Sequence, residues 1–259
     1  MKLRRRSSAK KWTTLYTALL LCMPLVGLQS GCVFFHGQRY YNFTTRTPLN
    51  KGDLLILGFM GGREPWNNDQ RNVRKLALKL RALNLPNLQV ETVENRRRDL
   101  ALQLIHNAFD RNYDGKLDDQ ERAAIRLIIY GQSFGGAAVV KLAKQLNHLD
   151  IPILLTVQVD SVGRDDDRIP ANVQRAANLF QRNGLIIKGE KTIRAEAPDK
   201  TAIIGNYQYD YHDKKIDISQ VSWKKKIFRV AHTRMEYDPK VWVKVEDLIM
   251  REIERDKKD

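Results

Sequence analysis

The chain has 259 residues, 42% of them hydrophobic, enough to close the core of one α/β domain of ordinary size. It carries a formal charge of +15 and only two cysteines, Cys22 and Cys32, both near the amino terminus. The remainder of the chain is thereby excluded from forming an internal disulfide, a cysteine nucleophile or a cysteine metal site.

Much of the charge is local. Lys2, Arg4, Arg5, Arg6, Lys10 and Lys11 precede any acid, and removing these six from +15 leaves +9. An excess of that size favours anionic surfaces. No basic-aromatic pattern for nucleic acid accompanies it, so no nucleic-acid partner is expected, and membrane lipid or an envelope polymer ranks higher. No protein partner is expected.

Behind the basic segment, Trp12 to Leu28 is uncharged and mostly apolar, the shape of an export signal. It ends in Leu28-Gln29-Ser30-Gly31-Cys32, which resembles the lipobox of bacterial lipoproteins, where small residues precede a cysteine that becomes the lipidated first residue of the mature protein. Ser30 and Gly31 fit, whereas Gln29 departs, because the leucine stands four before the cysteine instead of three. The resemblance implies an export segment over residues 1–32, lipidation at Cys32, and a bacterial cell-envelope location with membrane association through the amino terminus. A retained signal anchor is the alternative.

Tyr40 to Asn50 reads as an irregular lead-in or edge strand. Asp53-Leu54-Leu55-Ile56-Leu57 is an apolar run that breaks into Gly58-Phe59-Met60-Gly61-Gly62, as a buried strand leaving a sheet would. From Asn68 to Leu83, apolar residues at Val73, Leu76, Ala77, Leu80 and Leu83 recur at three and four, predicting an amphipathic helix that Pro86 closes. Leu88 to Val93 alternates as a strand does, and Asp99 to Phe109 is a second amphipathic helix. Strand, helix, strand, helix and then a further strand predict an α/β fold: a mainly parallel sheet with helices on both faces, over about residues 50–255.

Directly before the next strand stands Asp110-Arg-Asn112-Tyr-Asp114-Gly115-Lys116-Leu117-Asp118-Asp119-Gln-Glu121. This resembles the EF-hand calcium loop, with oxygen side chains at loop positions 1, 3, 5 and 9, glycine at 6, an apolar residue at 8 and glutamate at 12. Calcium takes six to eight hard oxygen ligands, the glycine permits the sharp bend, and the terminal glutamate can bind through both oxygens. The resemblance implies Ca2+ held by Asp110, Asn112, Asp114, the Lys116 carbonyl, Asp118 and Glu121. Only Arg122 to Ile125 separate the loop from the following strand, so the expected role is a structural clip, not a switch.

That strand, Leu127-Ile128-Ile129-Tyr130, leads into Gly131-Gln132-Ser133-Phe134-Gly135 and a helical run with Val139, Val140, Leu142, Ala143 and Leu146 at helical spacing. The turn is a G-x-S-x-G set between strand and helix, the context in which a serine sits on a strained nucleophile elbow and flanking glycines let strand and helix approach. Neither this turn nor Gly58 to Gly62 matches G-x-G-x-x-G or a Walker A pattern. Ile151 to Val159 is the next buried strand, with Asp160 at its end. The charged run Arg164 to Arg168 reads as a solvated loop and Ala171 to Gln181 as a helix through Val173, Ala176, Ala177 and Phe180. Gly184 to Ala197 carries no clear pattern. Thr201 to Ile204 reads as strand, Ile227 to Val230 as a short final strand before Ala231-His232, and Lys240 to Glu254 as a closing amphipathic helix.

Ser133, Asp160 and His232 thus occur in the order nucleophile, acid, histidine. From Asp53 to Glu254 the chain resembles the α/β-hydrolase superfamily, in particular its esterase, lipase and thioesterase branches. The resemblance implies acyl transfer from a small-molecule or lipid ester. Ser133 would attack, His232 would take its proton and Asp160 would hold the imidazole, with an oxyanion hole formed by the backbone of Phe59 or Met60 and of Phe134. Because much of the superfamily carries its acid one strand later, Asp210 and Asp213 are the alternatives to Asp160. A non-catalytic, calcium-clipped envelope protein on the same scaffold is the competing class.

Overall fold

The computed structural model describes residues 37–184, 187–219 and 230–256, all within the compact unit His36–Asp259. The export segment with Cys32, and Ile227 to Arg229 of the expected final strand, lie outside the described residues. Among the described residues no helix is long and apolar enough to cross a membrane.

The strands are β1 (Leu54–Met60), β2 (Leu88–Glu94), β3 (Leu127–Gln132), β4 (Ile153–Val159), β5 (Arg168–Ile169), β6 (Val173–Gln181), β7 (Arg194–Ala195) and β8 (Ala202–Tyr209). The helices are α1 (Asn72–Ala82), α2 (Arg98–Phe109), α3 (Asp119–Ala123), α4 (Phe134–Asn147), α5 (Val230–Tyr237) and α6 (Pro239–Asp256). A single 3-10 turn, Tyr40–Asn42, is the only regular element in the lead-in.

Six strands form one sheet in the order β2-β1-β3-β4-β6-β8, every neighbouring pair parallel. Parallel strands covered on both faces have no solvent side, and β1, β3 and β4 are accordingly buried at every position. On one face α2 and α4 supply Leu104, Phe109, Val139 and Leu142 to a core with Leu55, Leu57 and Ile129. On the other, α1, α5 and α6 pack Leu80, Met235 and Val245 against Ile56, Ile128 and Val157. Each such side chain, fully buried, contributes roughly 1.5–3 kcal/mol relative to exposure. β8 alternates between exposed and half-buried positions, as befits the edge it occupies.

The chain order places the site. It runs from β1 outward to β2, then returns to the other side of β1 for β3 and continues outward through β4, β6 and β8. The reversal leaves a crevice between the carboxyl ends of β1 and β3, the position at which open parallel sheets bind ligands. The loop Gly61-Gly62 leaves β1 there, and Ser133 leaves β3.

Three expectations are corrected. Ala171 to Gln181 is not a helix: Val173–Gln181 is β6, hydrogen-bonded to β4 on one side and β8 on the other. Val173 and Ala176 reach one core and Ala177 and Leu179 the other, so both faces are apolar and the helical spacing was a by-product of a run without polar alternation. Val230 does not end a strand but opens α5. The run Arg164 to Arg168 is not wholly solvated, since Asp166 is buried, accepting from the Ser161 hydroxyl, while its carbonyl accepts from Gln158 Nε2 at 2.9 Å.

Candidate active site

Ser133 follows β3 with φ 58° and ψ −123°, a left-handed conformation that a residue with a Cβ adopts only when its surroundings enforce it. The enforcement is local. Ser133 N donates to the Val159 carbonyl at 2.9 Å, tying the turn to β4, and α4 begins at the very next residue. Glycines make that reversal possible: a Cβ on Gly131 would lie 2.6 Å from the carbonyl carbon of Gly135.

Asp160 follows β4, next to Ser133 across the sheet because Gln132 and Val159 are in register. It is fully buried. One carboxylate oxygen accepts from Gln181 N at 3.3 Å, and the other from Gln181 Nε2 at 3.0 Å. Gly189 covers it so closely that a Cβ there would lie 2.9 Å from the Asp160 Cα. That same second oxygen, Oδ2, lies 2.6 Å from Nδ1 of His232, which sits in the first turn of α5 and is itself buried. The carboxylate selects the tautomer with the proton on Nδ1, leaving the lone pair on Nε2. A buried carboxylate backing an imidazole in this way makes the ring a proton acceptor at Nε2 and stabilises the imidazolium that results.

Ser133 and His232 line one cavity together with Gly61, Gly62, Gln132 and Arg71. Gln132 Nε2 stands 3.4 Å from His232 Nε2. The loop after β1 is held in place by Asn95, whose Nδ2 donates to the carbonyls of Met60 at 2.9 Å and Gly62 at 2.5 Å. Phe59 and Met60, expected as loop donors, are fully buried β1 residues, and it is Gly61 and Gly62 that face the cavity. Phe134 is half exposed at the start of α4.

Arg71 is the electrostatic centre of the cavity wall. Its guanidinium bonds the Glu64 carboxylate, Glu236 at 2.7 Å and the Tyr237 hydroxyl at 3.1 Å, and so ties the loop after β1 to the helix that carries His232. Burial alone would lower its pKa, but Glu236 and Glu64 more than offset this and hold it above the ordinary arginine value.

The two alternative acids lie elsewhere. Asp210 is exposed and accepts from the His212 amide and from Asn183 Nδ2, each at 2.9 Å. The His212 amide, with help from Asn183, holds its carboxyl below the usual range. Asp213 is exposed. Asp238 is buried but is taken by the Tyr211 hydroxyl at 2.9 Å and by Lys214.

The loop from Asp110 to Glu121 is bonded to itself. Gly115 turns the chain with φ 78°, and its N–H donates to Asp110 Oδ2 at 3.0 Å. Asp118 and Glu121 form a reciprocal capping box that opens α3, while Glu121 Oε1 also accepts from Arg111 N at 2.8 Å. No three His, Cys, Asp or Glu side chains among the described residues converge on a metal position. One observation fits an ion all the same: Asp110 Oδ1, at the first loop position, is buried without a hydrogen-bond partner.

Sequence reasoning missed Gln132, Gln181 and Arg71. Gln132 stood in plain view as the residue before the serine. Gln181 falls at the end of the run expected as a helix, and nothing in the amphipathic run from Asn68 to Leu83 sets Arg71 apart from its basic neighbours.

No protein-family model matches the chain, and no curated protein matches it. A solved structure described as RedJ with a PEG molecule bound in the active site is similar at 11% identity, over 70% of this chain and 87% of that one, with a TM-score of 0.32. A similarity that distant carries no chemistry across.

Proposed function

We propose that the chain is a serine hydrolase cleaving an ester or thioester, with Ser133 as nucleophile, His232 as general base and then acid, and Asp160 orienting the imidazole. The observation that carries this reading is the 2.6 Å contact from His232 Nδ1 to the buried Asp160 carboxylate, beside a serine held at positive φ. Ser133 Oγ attacks the acyl carbonyl as His232 Nε2 takes its proton, and water later releases the acyl group. The developing oxyanion is met by the Phe134 N–H and by one from Gly61 or Gly62, two donors that each contribute about 3 kcal/mol of barrier reduction in sites of this kind. The test is covalent labelling with a fluorophosphonate. Stoichiometric label on Ser133, absent from Ser133→Ala, is the expected result, and an unlabelled wild-type protein would sink the assignment.

The same reading gives the chain a calcium clip and an envelope anchor. Asp110, Asn112, Asp114, the Lys116 carbonyl, Asp118 and Glu121 would hold Ca2+, which would cross-link the connection into β3 by hard-oxygen coordination. Cys32 would carry the lipid. Because Glu121 also caps α3, its loss would weaken the protein with or without an ion, so the clean variant is Asp114→Ala, whose side chain is exposed. Calcium at a hundredfold over its Kd should add about 2.7 kcal/mol of stability. Chelator should therefore lower the melting temperature of the wild type and leave that of Asp114→Ala unmoved. A wild type that melts identically in calcium and in chelator would refute the clip.

A further inference from the structure

The cavity beside Ser133 measures about 40 Å³ among the described residues. That is far below the roughly 300–1,000 Å³ of pockets that bury drug-sized ligands, so the space suits a small acyl group. A carbonyl bearing one methyl carbon is the smallest such group with a C–C bond. A longer acyl chain meets Val73 of α1 and Trp242 of α6, both buried and both part of the core that joins these helices to the sheet. The remaining wall is ionic: Arg71 with Glu64 and Glu236. Hydrocarbon laid against that wall would strip water from three ionised groups and return no hydrogen bond. Arg71 Nε is already buried without a partner, and an alkyl cover would deepen the deficit.

We infer that the site takes esters of acetyl-sized acids and excludes medium and long acyl chains, an assignment that rests on the serine-hydrolase reading above. Ser133 Oγ bonds to the acetyl carbonyl carbon, the bond to the leaving alcohol breaks, and the proton held by His232 passes to that alcohol. Water then bonds to the same carbon and the bond to Oγ breaks. The water proton returns through His232 to Ser133, and acetate departs. The assignment selects a small acetyl ester over the long-chain lipid ester that an envelope location alone would suggest.

The experiment measures kcat/KM for p-nitrophenyl acetate, butyrate and octanoate with the wild type and with Val73→Ala, alongside fluorophosphonate labelling of Ser133. The expected result is a fall of at least about tenfold from acetate to butyrate, the scale on which a pocket discriminates single carbons, and a further fall to octanoate. Val73→Ala removes two methyl groups from the wall and should raise butyrate turnover relative to acetate several-fold. A purely structural role for Val73 would lower all three esters together and leave their ratio unchanged, which would count against the pocket. Labelling of Ser133 with octanoate equal to or better than acetate overturns the acetyl assignment and leaves the hydrolase reading standing. Absence of labelling overturns both.

Discussion

Asp160→Asn is expected to cut kcat by about 10⁴-fold, or roughly 5.5 kcal/mol of transition-state stabilisation, and to lower folding stability by about 1–3 kcal/mol, the cost of one buried donor left without its acceptor. Asparagine keeps the shape of the buried side chain, and a carbonyl in the place of Oδ1 still accepts from Gln181 N, but an amide in the place of Oδ2 faces Gln181 Nε2, which donates to Oδ2 in the wild type. What changes is the face turned to His232. An amide N–H directed at Nδ1 forces the ring proton to Nε2, where the lone pair must be for Ser133 to lose its own proton. The charge that stabilised the imidazolium is also gone. Asp210→Asn is the matched control, because Asp210 is exposed and bonded to the His212 amide and Asn183. Its turnover should stay near that of the wild type. Near-normal turnover in Asp160→Asn, or a collapse in Asp210→Asn, would move the acid away from Asp160. Circular dichroism and thermal melting of both variants separate a tautomer effect from a folding effect.

The parts of this protein that were legible in its sequence are those where local chemistry and tertiary demand agree. β1, β3 and β4 are uninterrupted apolar runs because helices cover both faces of the sheet, and α1, α2 and α6 show one apolar stripe because each has one wet face. The elbow was legible for a stronger reason: two glycines at fixed offsets from a serine answer a steric need that few other folds share. β6 was not legible. Its run of Ala176, Ala177, Leu179 and Phe180 is apolar on both sides, and only pairing with β4 and β8 decides between strand and helix. The error also concealed chemistry, since Gln181 at the end of β6 is what holds Asp160. The cavity wall was illegible in a different way. Arg71 and Glu236 are 165 residues apart, and nothing in an ordinary charged surface pattern tells that these two side chains and Glu64 converge. The loop from Asp110 to Glu121 shows the converse, a local pattern complete in sequence, with its glycine at the turn and its last glutamate in the cap of α3.

Gly135→Ala tests the other half of the elbow, the close packing that glycine allows. On an exposed helix the same substitution would stabilise the protein by about 1 kcal/mol, because alanine is the better helix former. Gly135 is in the first turn of α4, which should make the change benign or favourable. Here a Cβ would lie 2.8 Å from the carbonyl carbon of Phe59, nearer still to its oxygen, and 2.9 Å from that of Met60. These are backbone atoms of β1, a fully buried strand paired on both sides, so they cannot rotate away as a side chain would. Either α4 lifts from the sheet or β1 shifts, and overpacking of that kind typically destabilises by 1–3 kcal/mol or about that range, occasionally more. The sign is therefore reversed relative to helix propensity, and urea unfolding of Gly135→Ala against wild type reads it directly. Because the same displacement moves Gly61, Gly62 and Phe134 relative to Ser133, turnover should fall further than the loss of folded protein explains. Unchanged or increased stability would mean that strand and helix are not in contact at this glycine, and with that contact would go the geometric basis for an elbow at Ser133.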